Sequence, residues 1–254
     1  MIKFFRKIRQ NLLMENKTSK YFKYAIGEIV LVVIGIIIAL QINNWNEERK
    51  LGLYENQLLQ QLKVDLERNS KDLIFNIRLQ KNIINSSEIV LHHLEKKLPN
   101  NDSLKKHFAN TVLWTKLVVN KGAYKTIESK GLDLISDLAL RDLVFRIYEG
   151  NLNWLQQMEN MVINQTELFR TSKASDFFKV LDPITIKNKR FGEGNAVVID
   201  YNLLLNNKGN NYTFYVHSLK NETQILKHIS EGYLDDNQQA ITKIDSILKI
   251  TTND

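Results

Sequence analysis

The sequence predicts a mainly α-helical protein, with one N-terminal transmembrane helix continuing into a long helix of an antiparallel helical-bundle ectodomain. Three observations carry that prediction. Residues 29–40 contain no polar side chain. The 254-residue chain holds only 2 prolines and 10 glycines, so long helices can run unbroken. Beyond residue 50, leucine and isoleucine return at helical spacing over most of the remaining length. The hydrophobic fraction of 43% is too high for wholesale disorder, and the absence of cysteine excludes a disulfide-stapled domain.

The first element is Tyr24–Asn44. As a helix this stretch would be about 32 Å long, enough for a hydrocarbon core of ~30 Å. Tyr21, Phe22 and Tyr24 on one side and Trp45 on the other have the character of interfacial aromatic anchors. Lys3, Arg6, Lys7, Arg9, Lys17, Lys20 and Lys23 precede the span against a single acid, Glu15, while only Arg49 and Lys50 follow it closely. The positive-inside rule then puts the N-terminus in the cytoplasm and the remainder across the membrane. Ala39-Leu40-Gln41 offers no small-x-small cleavage site, which favours a signal anchor over a cleaved signal. The expected division is a basic cytoplasmic arm (1–23), a transmembrane helix (24–44) and a periplasmic domain (45–254).

Most of the formal charge of +7 therefore belongs to the arm. The ectodomain is close to neutral and carries no basic stripe, so nucleic acid is not an expected partner. The arm IKFFRKIRQNLL alternates apolar and cationic residues at helical spacing. It reads either as an amphipathic helix on anionic inner-leaflet lipids or as a purely topogenic cluster. Glu28 is the ionisable group of the span, placed either to pair with a partner or to snorkel to the interface one turn from Tyr24. Gly35 and Ala39 form a small-xxx-small pair that permits close helix approach. A homo-oligomer or a membrane-protein partner is the expectation from these three residues.

The stretch from Lys20 to Asn46, KYFKYAIGEIVLVVIGIIIALQINNWN, resembles the N-terminal signature of an uncharacterised family, a domain of unknown function among single-pass inner-membrane proteins common in Bacteroidota. A second stretch, Gly122-Ala123-Tyr124-Lys125-Thr126-Ile127 through Gly131-Leu132-Asp133-Leu134-Ile135-Ser136, is similar to the same family. The resemblance implies a bacterial inner-membrane location and a mostly helical exoplasmic domain. It implies no activity.

In the ectodomain, Asn46–Leu98 contains one glycine and no proline, so a single helix is expected to leave the membrane. Leu51, Leu62, Leu73 and Ile84 are eleven apart, with Leu66 and Ile77 on the adjoining stripe. That period favours a nearly straight helix over a heptad coil. Asn69 and Gln80 interrupt a third stripe begun by Leu58, which favours packing inside a bundle over a homodimeric seam. Pro99-Asn100-Asn101-Asp102 should end the helix, and Asp102 or Ser103 should cap a second one through about Val118. Lys121-Gly122 breaks it. Helices are expected at 123–129, 133–148 (inward Ile135, Ala139, Leu143, Ile147) and 152–173 (inward Leu152, Leu155, Val162, Phe169), with Gly150 dividing the last two. Near 184–199, Ile184-Thr185-Ile186 and Val197-Val198-Ile199 suggest a small β-hairpin, with a structureless loop as the alternative. A long helix from Tyr212 to Ile250 closes the bundle, with Gly232 as a candidate kink.

Catalytic signatures are missing. His92 and His93 point about 100° apart on a helix, and His217 and His228 lie about 16 Å apart along one, too far for a shared zinc. No HExxH, GxSxG or GxxxxGK[ST] occurs, and Gly192-Glu193-Gly194 does not open a helix. Asp235-Asp236 reads as a solvated helix face. No cofactor, metal or catalytic residue is expected. The expected function is a membrane-anchored interaction or scaffold protein of the cell envelope. The alternative is a periplasmic sensory or ligand-binding domain signalling through a membrane partner.

Overall fold

The computed structural model describes residues 18–187, 190–206 and 209–251. The chain divides into two compact units, residues 1–57 and 58–254. Five of the arm's cations, Lys3, Arg6, Lys7, Arg9 and Lys17, lie outside the described residues, as does the amphipathic pattern around them.

The first unit is the N-terminal part of helix α1, Thr18–Glu95. Every residue from Ile29 to Trp45 is exposed, the whole apolar run included. Among the described residues this is the one helix long and apolar enough to cross a membrane. A continuous exposed apolar surface of that size calls for an apolar solvent or a covering partner.

In the second unit the burial of α1 begins at Leu58 and follows the predicted stripes. Leu62, Leu66 and Leu73 are fully buried and Ile77 nearly so, Ile84 is half-buried, and Leu51, in the first unit, is exposed. Burying each such side chain contributes about 1.5–3 kcal/mol. A turn at 96–103 leads into α2 (Leu104–Asn110), whose Ser103 N-cap makes no side-chain cap bond. The Asn101 side chain ties that turn instead, accepting from Ser103 N–H and Oγ–H.

The second helix stops at Asn110 instead of reaching Val118. Residues 113–121 form neither a helix nor a regular strand. Thr115, Val118 and Val119 are β-branched and disfavour helix, and burial alternates from Thr115 to Val118 with period two. We call this segment the strap.

Helix α3 (Gly122–Lys130) ends at Gly131, whose φ of +112° favours glycine. A 3₁₀ turn, Leu132–Leu134, then precedes α4 (Leu138–Phe145), N-capped by Asp137, which accepts from Leu140 N–H at 2.7 Å. The helix expected over 133–148 therefore starts later, and Ala139 is exposed because Ile135 precedes its first turn. Gly150 does not divide two helices. A π-helical turn, Arg146–Asn151, joins α4 directly to α5 (Leu152–Ser172). Asp236 holds that turn at both ends, through Arg146 at 3.1 Å and through the Asn151 amide. Asp236 is thus a structural anchor and not part of a solvated face.

After a 3₁₀ turn (Ala174–Asp176) come two nested antiparallel pairs. β1 (Phe178–Asp182) pairs with β4 (Asn195–Val198), and β2 (Thr185–Lys187) with β3 (Arg190–Gly192). Antiparallel pairing does occur near 184–199, but the two expected segments do not pair with each other: Ile186 stands opposite Phe191 and Val197 opposite Val180. A Cβ on Gly194 would fall 2.5 Å from Pro183 O and 2.7 Å from Ala109 Cβ, so the link before β4 passes Pro183 and α2 at glycine distance. Gly194→Ala is expected to cost about 1–3 kcal/mol by overpacking, read as a lower thermal midpoint with unchanged far-UV dichroism.

A short α6 (Tyr201–Leu205) precedes α7 (Asn210–Thr251), which runs through Gly232 as one helix. Tyr215, Leu219, Leu226, Tyr233 and Ile244 of α7 are buried, as are all four predicted inward residues of α5. Lys63–Asp245 (2.6 Å) and Gln80–Ser230 (3.3 Å) set α1 antiparallel to α7. The Asn151–Asp236 bond and the Phe169–Tyr215 stack, with centroids 3.9 Å apart, set α5 antiparallel to α7 as well. Hence α1 and α5 run parallel, and the strap lies between them in the opposite sense. It is the fourth rod of the bundle, and it is not a helix.

Candidate functional site

An extended chain inside a helical bundle has no strand beside it, so its backbone groups must find side chains. In the strap three amides do. Leu117 N–H donates to Glu159 Oε1 of α5 at 2.7 Å. The next amide, Val118 N–H, points the other way and donates to Asp72 Oδ2 of α1 at 2.9 Å. Asn120 N–H donates to Asn69 Oδ1 at 2.7 Å, and Asn69 Nδ2 donates back to Asn120 O at 2.9 Å. Just past the strap, Ala123 N–H donates to Asp65 Oδ2 at 2.9 Å, which caps α3 from another helix. Gln80 Nε2 reaches Thr115 Oγ1 at 3.0 Å and Ser230 Oγ at 3.3 Å, tying strap, α1 and α7 together.

Asp65, Asn69, Asp72 and Gln80 share one face of α1, so a single helical stripe receives the strap. Asn69 and Gln80 had been visible as interruptions of an apolar stripe. Their role as strap receptors had no local signal, because their partners lie 35 to 51 residues away in sequence. Glu159 was missed altogether. Its signal was present, since the inward stripe of α5 reads Leu152, Leu155, Glu159, Val162, Thr166, Phe169.

Glu159 is 1% exposed. Burial pushes its carboxyl up to about 7, with Asp72 adding to the rise and the Leu117 N–H and Lys116 opposing it. Oε2 is buried with no hydrogen-bond partner. On α3, the Tyr124 ring stacks on Tyr148 with centroids 4.3 Å apart, and its hydroxyl donates to Glu149 at 3.0 Å. Burial, with Glu149 beside it, raises the Tyr124 phenol well above its ordinary value.

The opposite face of α5 is of another kind. Trp154, Met161 and Leu168 recur every seven residues and are 54%, 43% and 67% exposed. Beside and between them Asn153, Gln157, Asn160 and Asn164 are exposed too. The outward face from Asn153 to Asn164 thus carries no charge, in a protein with 25% charged residues. Such depletion of charge around large apolar side chains is characteristic of interface cores.

Of the residues singled out in the sequence, Gly35 and Ala39 are exposed on α1, and a Cβ at Gly35 would meet nothing within 4 Å. Glu28 is half-buried on the same helix and Lys23 is exposed, while the Lys20 side chain lies outside the described set. These residues belong to the first unit, whereas the strap and its receptors belong to the second. The histidines scatter: His107 Nδ1 lies 3.1 Å from Ser86 Oγ, His217 pairs with Glu95 at 3.1 Å, and His92 and His228 are exposed. Among the described residues no group of three or more His, Cys, Asp or Glu is placed to hold a metal. One open cleft of about 290 Å³ is lined by Glu167, Arg170, Thr171 and Phe178 among others.

Residues 28–187, more than half of the chain, match a family described as a family of unknown function (DUF6090). The chain belongs to this family. The matched region takes in Glu28, Gly35, Ala39, the strap, its receptors on α1, and Glu159, and it stops before α7. No curated protein and no solved structure matches the chain.

Proposed function

We propose that this DUF6090 protein is a single-pass anchor of the bacterial inner membrane, N-terminus inside, whose periplasmic helical bundle acts by binding another protein. It would serve as a scaffold or accessory subunit and carry out no catalysis. The outward face of α5, charge-free from Asn153 to Asn164 and carrying Trp154 and Met161, with Leu168 one step further along, is the observation that carries this reading. The apolar part of α1 and the cations before it support the anchoring and its direction. Glu28 and the Gly35/Ala39 face are the proposed contacts within the bilayer.

Because the chain has no cysteine, single introduced cysteines report topology cleanly. In intact spheroplasts Asn100→Cys should react with an impermeant maleimide and Lys7→Cys should not; the reverse pattern would reject the orientation. A photo-crosslinking amino acid at position 161 should give a discrete adduct in intact membranes, and one at exposed Lys71 should not. Equal yields at both positions would remove α5 as the docking face, and the adduct mass separates a second copy from another protein.

A second reading, a sensory input domain working through a membrane partner, is favoured by the buried polar attachment of the strap. Such an attachment has discrete held and released states. Partner recovery that changes with periplasmic conditions would favour sensing, and constant recovery would favour scaffolding.

A further inference from the structure

Two consecutive strap amides are held by two carboxyl groups in very different surroundings. Val118 N–H goes to Asp72, which is half-buried and also accepts from Asn76 Nδ2 at 3.4 Å. Leu117 N–H goes to Glu159, which is sealed in the core with Oε2 unpartnered. We propose that Glu159 is a proton-binding site that clasps the strap to α5, holding it when neutral and loosening it when ionised.

The argument is one of charge and solvation. A neutral carboxyl can sit in this pocket and accept the Leu117 amide. An ionised one leaves a charged oxygen buried without water, which is costly. The charged groups acting on Glu159 are Lys116 of the strap and Asp72 of α1. Lys116 attracts the anion, but it is exposed and its field is screened by solvent. Asp72 repels it from the far side of the strap. The least expensive way to hydrate an ionised Glu159 is to part the strap from α5, since the strap lacks a ladder of its own.

The direction with pH follows from linkage. Held shut, Glu159 titrates near 7, against 4.5 for an ordinary glutamate. Between those values the closed form keeps a proton that the open form has lost. Each rise of one pH unit in that window favours opening by about tenfold. Above about 7 both forms are ionised and the dependence levels off. The clasp is therefore tight in acid and loosest at neutral pH and above.

The test is amide hydrogen exchange of the full-length chain in detergent micelles at pH 5, 6, 7 and 8, corrected for intrinsic exchange. Opening at Leu117 should rise about tenfold per unit from 5 to 7 and flatten by 8. In Glu159→Gln, whose amide oxygen still accepts from Leu117 N–H, the profile should be flat. A flat wild-type profile, or a slope retained in the glutamine variant, overturns the proposal. So does a matching slope at Leu219–Leu226 in α7, which would mark global unfolding. The carboxyl carbon-13 titration of Glu159 in the unaltered protein gives a second measure that needs no variant. A midpoint near 7 supports the clasp, and one near the ordinary glutamate value rejects it.

Discussion

Tyr212→Ala is expected to lower the stability of the second unit by about 4 kcal/mol, the loss typical of deleting a buried aromatic ring. Tyr212 is fully buried where α2, α5, β1 and α7 converge. Its ring meets Phe178 at 5.4 Å, Phe169 and Phe177 at 5.7 Å, and Phe108 at 6.0 Å between centroids. Removing it leaves a void lined by these four rings, which come from three stretches of chain: α2, the end of α5, and the start of β1 with the residue before it. The hydroxyl is a separate matter. It lies 3.0 Å from Thr111 Oγ1, which itself donates to Phe108 O at 2.7 Å. Tyr212→Phe keeps the ring and loses only that bond, so it should cost about 1 kcal/mol. Urea denaturation of both variants measures the difference. Equal losses would mean that the hydroxyl, and not the packing, holds this end of the bundle.

Asn69→Leu should cost about 3 kcal/mol although it puts an apolar side chain into a buried site. Asn69 gives Asn120 both an acceptor and a donor, so it acts as a neighbouring strand would. Leucine leaves a backbone N–H and a backbone carbonyl without those partners, each worth about 1–3 kcal/mol when buried and unsatisfied. Asn69→Asp separates the two bonds. The carboxylate still accepts from Asn120 N–H but confronts Asn120 O with like polarity. The aspartate variant should therefore be less stable at neutral pH than at a pH low enough to protonate it. Denaturation midpoints at two pH values decide the point, and an aspartate variant indifferent to pH would mean that Asn120 had moved away.

The helical character, the apolar span and the faces of α5 and α7 were legible in the sequence because each is written in a local period. Leu152, Leu155, Val162 and Phe169 needed only their own spacing to be placed inside. The strap was not legible in that way. Leu104–Val118 has enough apolar residues for an amphipathic helix, and what ends the helix at Asn110 is a set of receptors on α1 and α5 far away in the sequence. The π-helical turn was hidden for a similar reason. Gly150 reads as a break, yet Asp236 bridges Arg146 and Asn151 from α7 and keeps the helix continuous. Of the strap site, Asn69 and Gln80 stood out as polar residues in an apolar stripe. Glu159 sits on the legible inward stripe of α5, between Leu155 and Val162, but nothing local shows that its partner is a backbone amide 42 residues away.

The parallel course of α1 and α5 bears on the order in which the molecule can be made. Both pack against α7, which follows every other described element in the chain. Gln80 meets Ser230 across 150 residues, and Lys63 meets Asp245 across 182. Until α7 has been synthesised, the polar stripe of α1 and the inner face of α5 have only the strap between them. An emerging chain should thus pass through a half-built stage whose apolar surfaces are uncovered, and that interval is when it would most need a chaperone's protection.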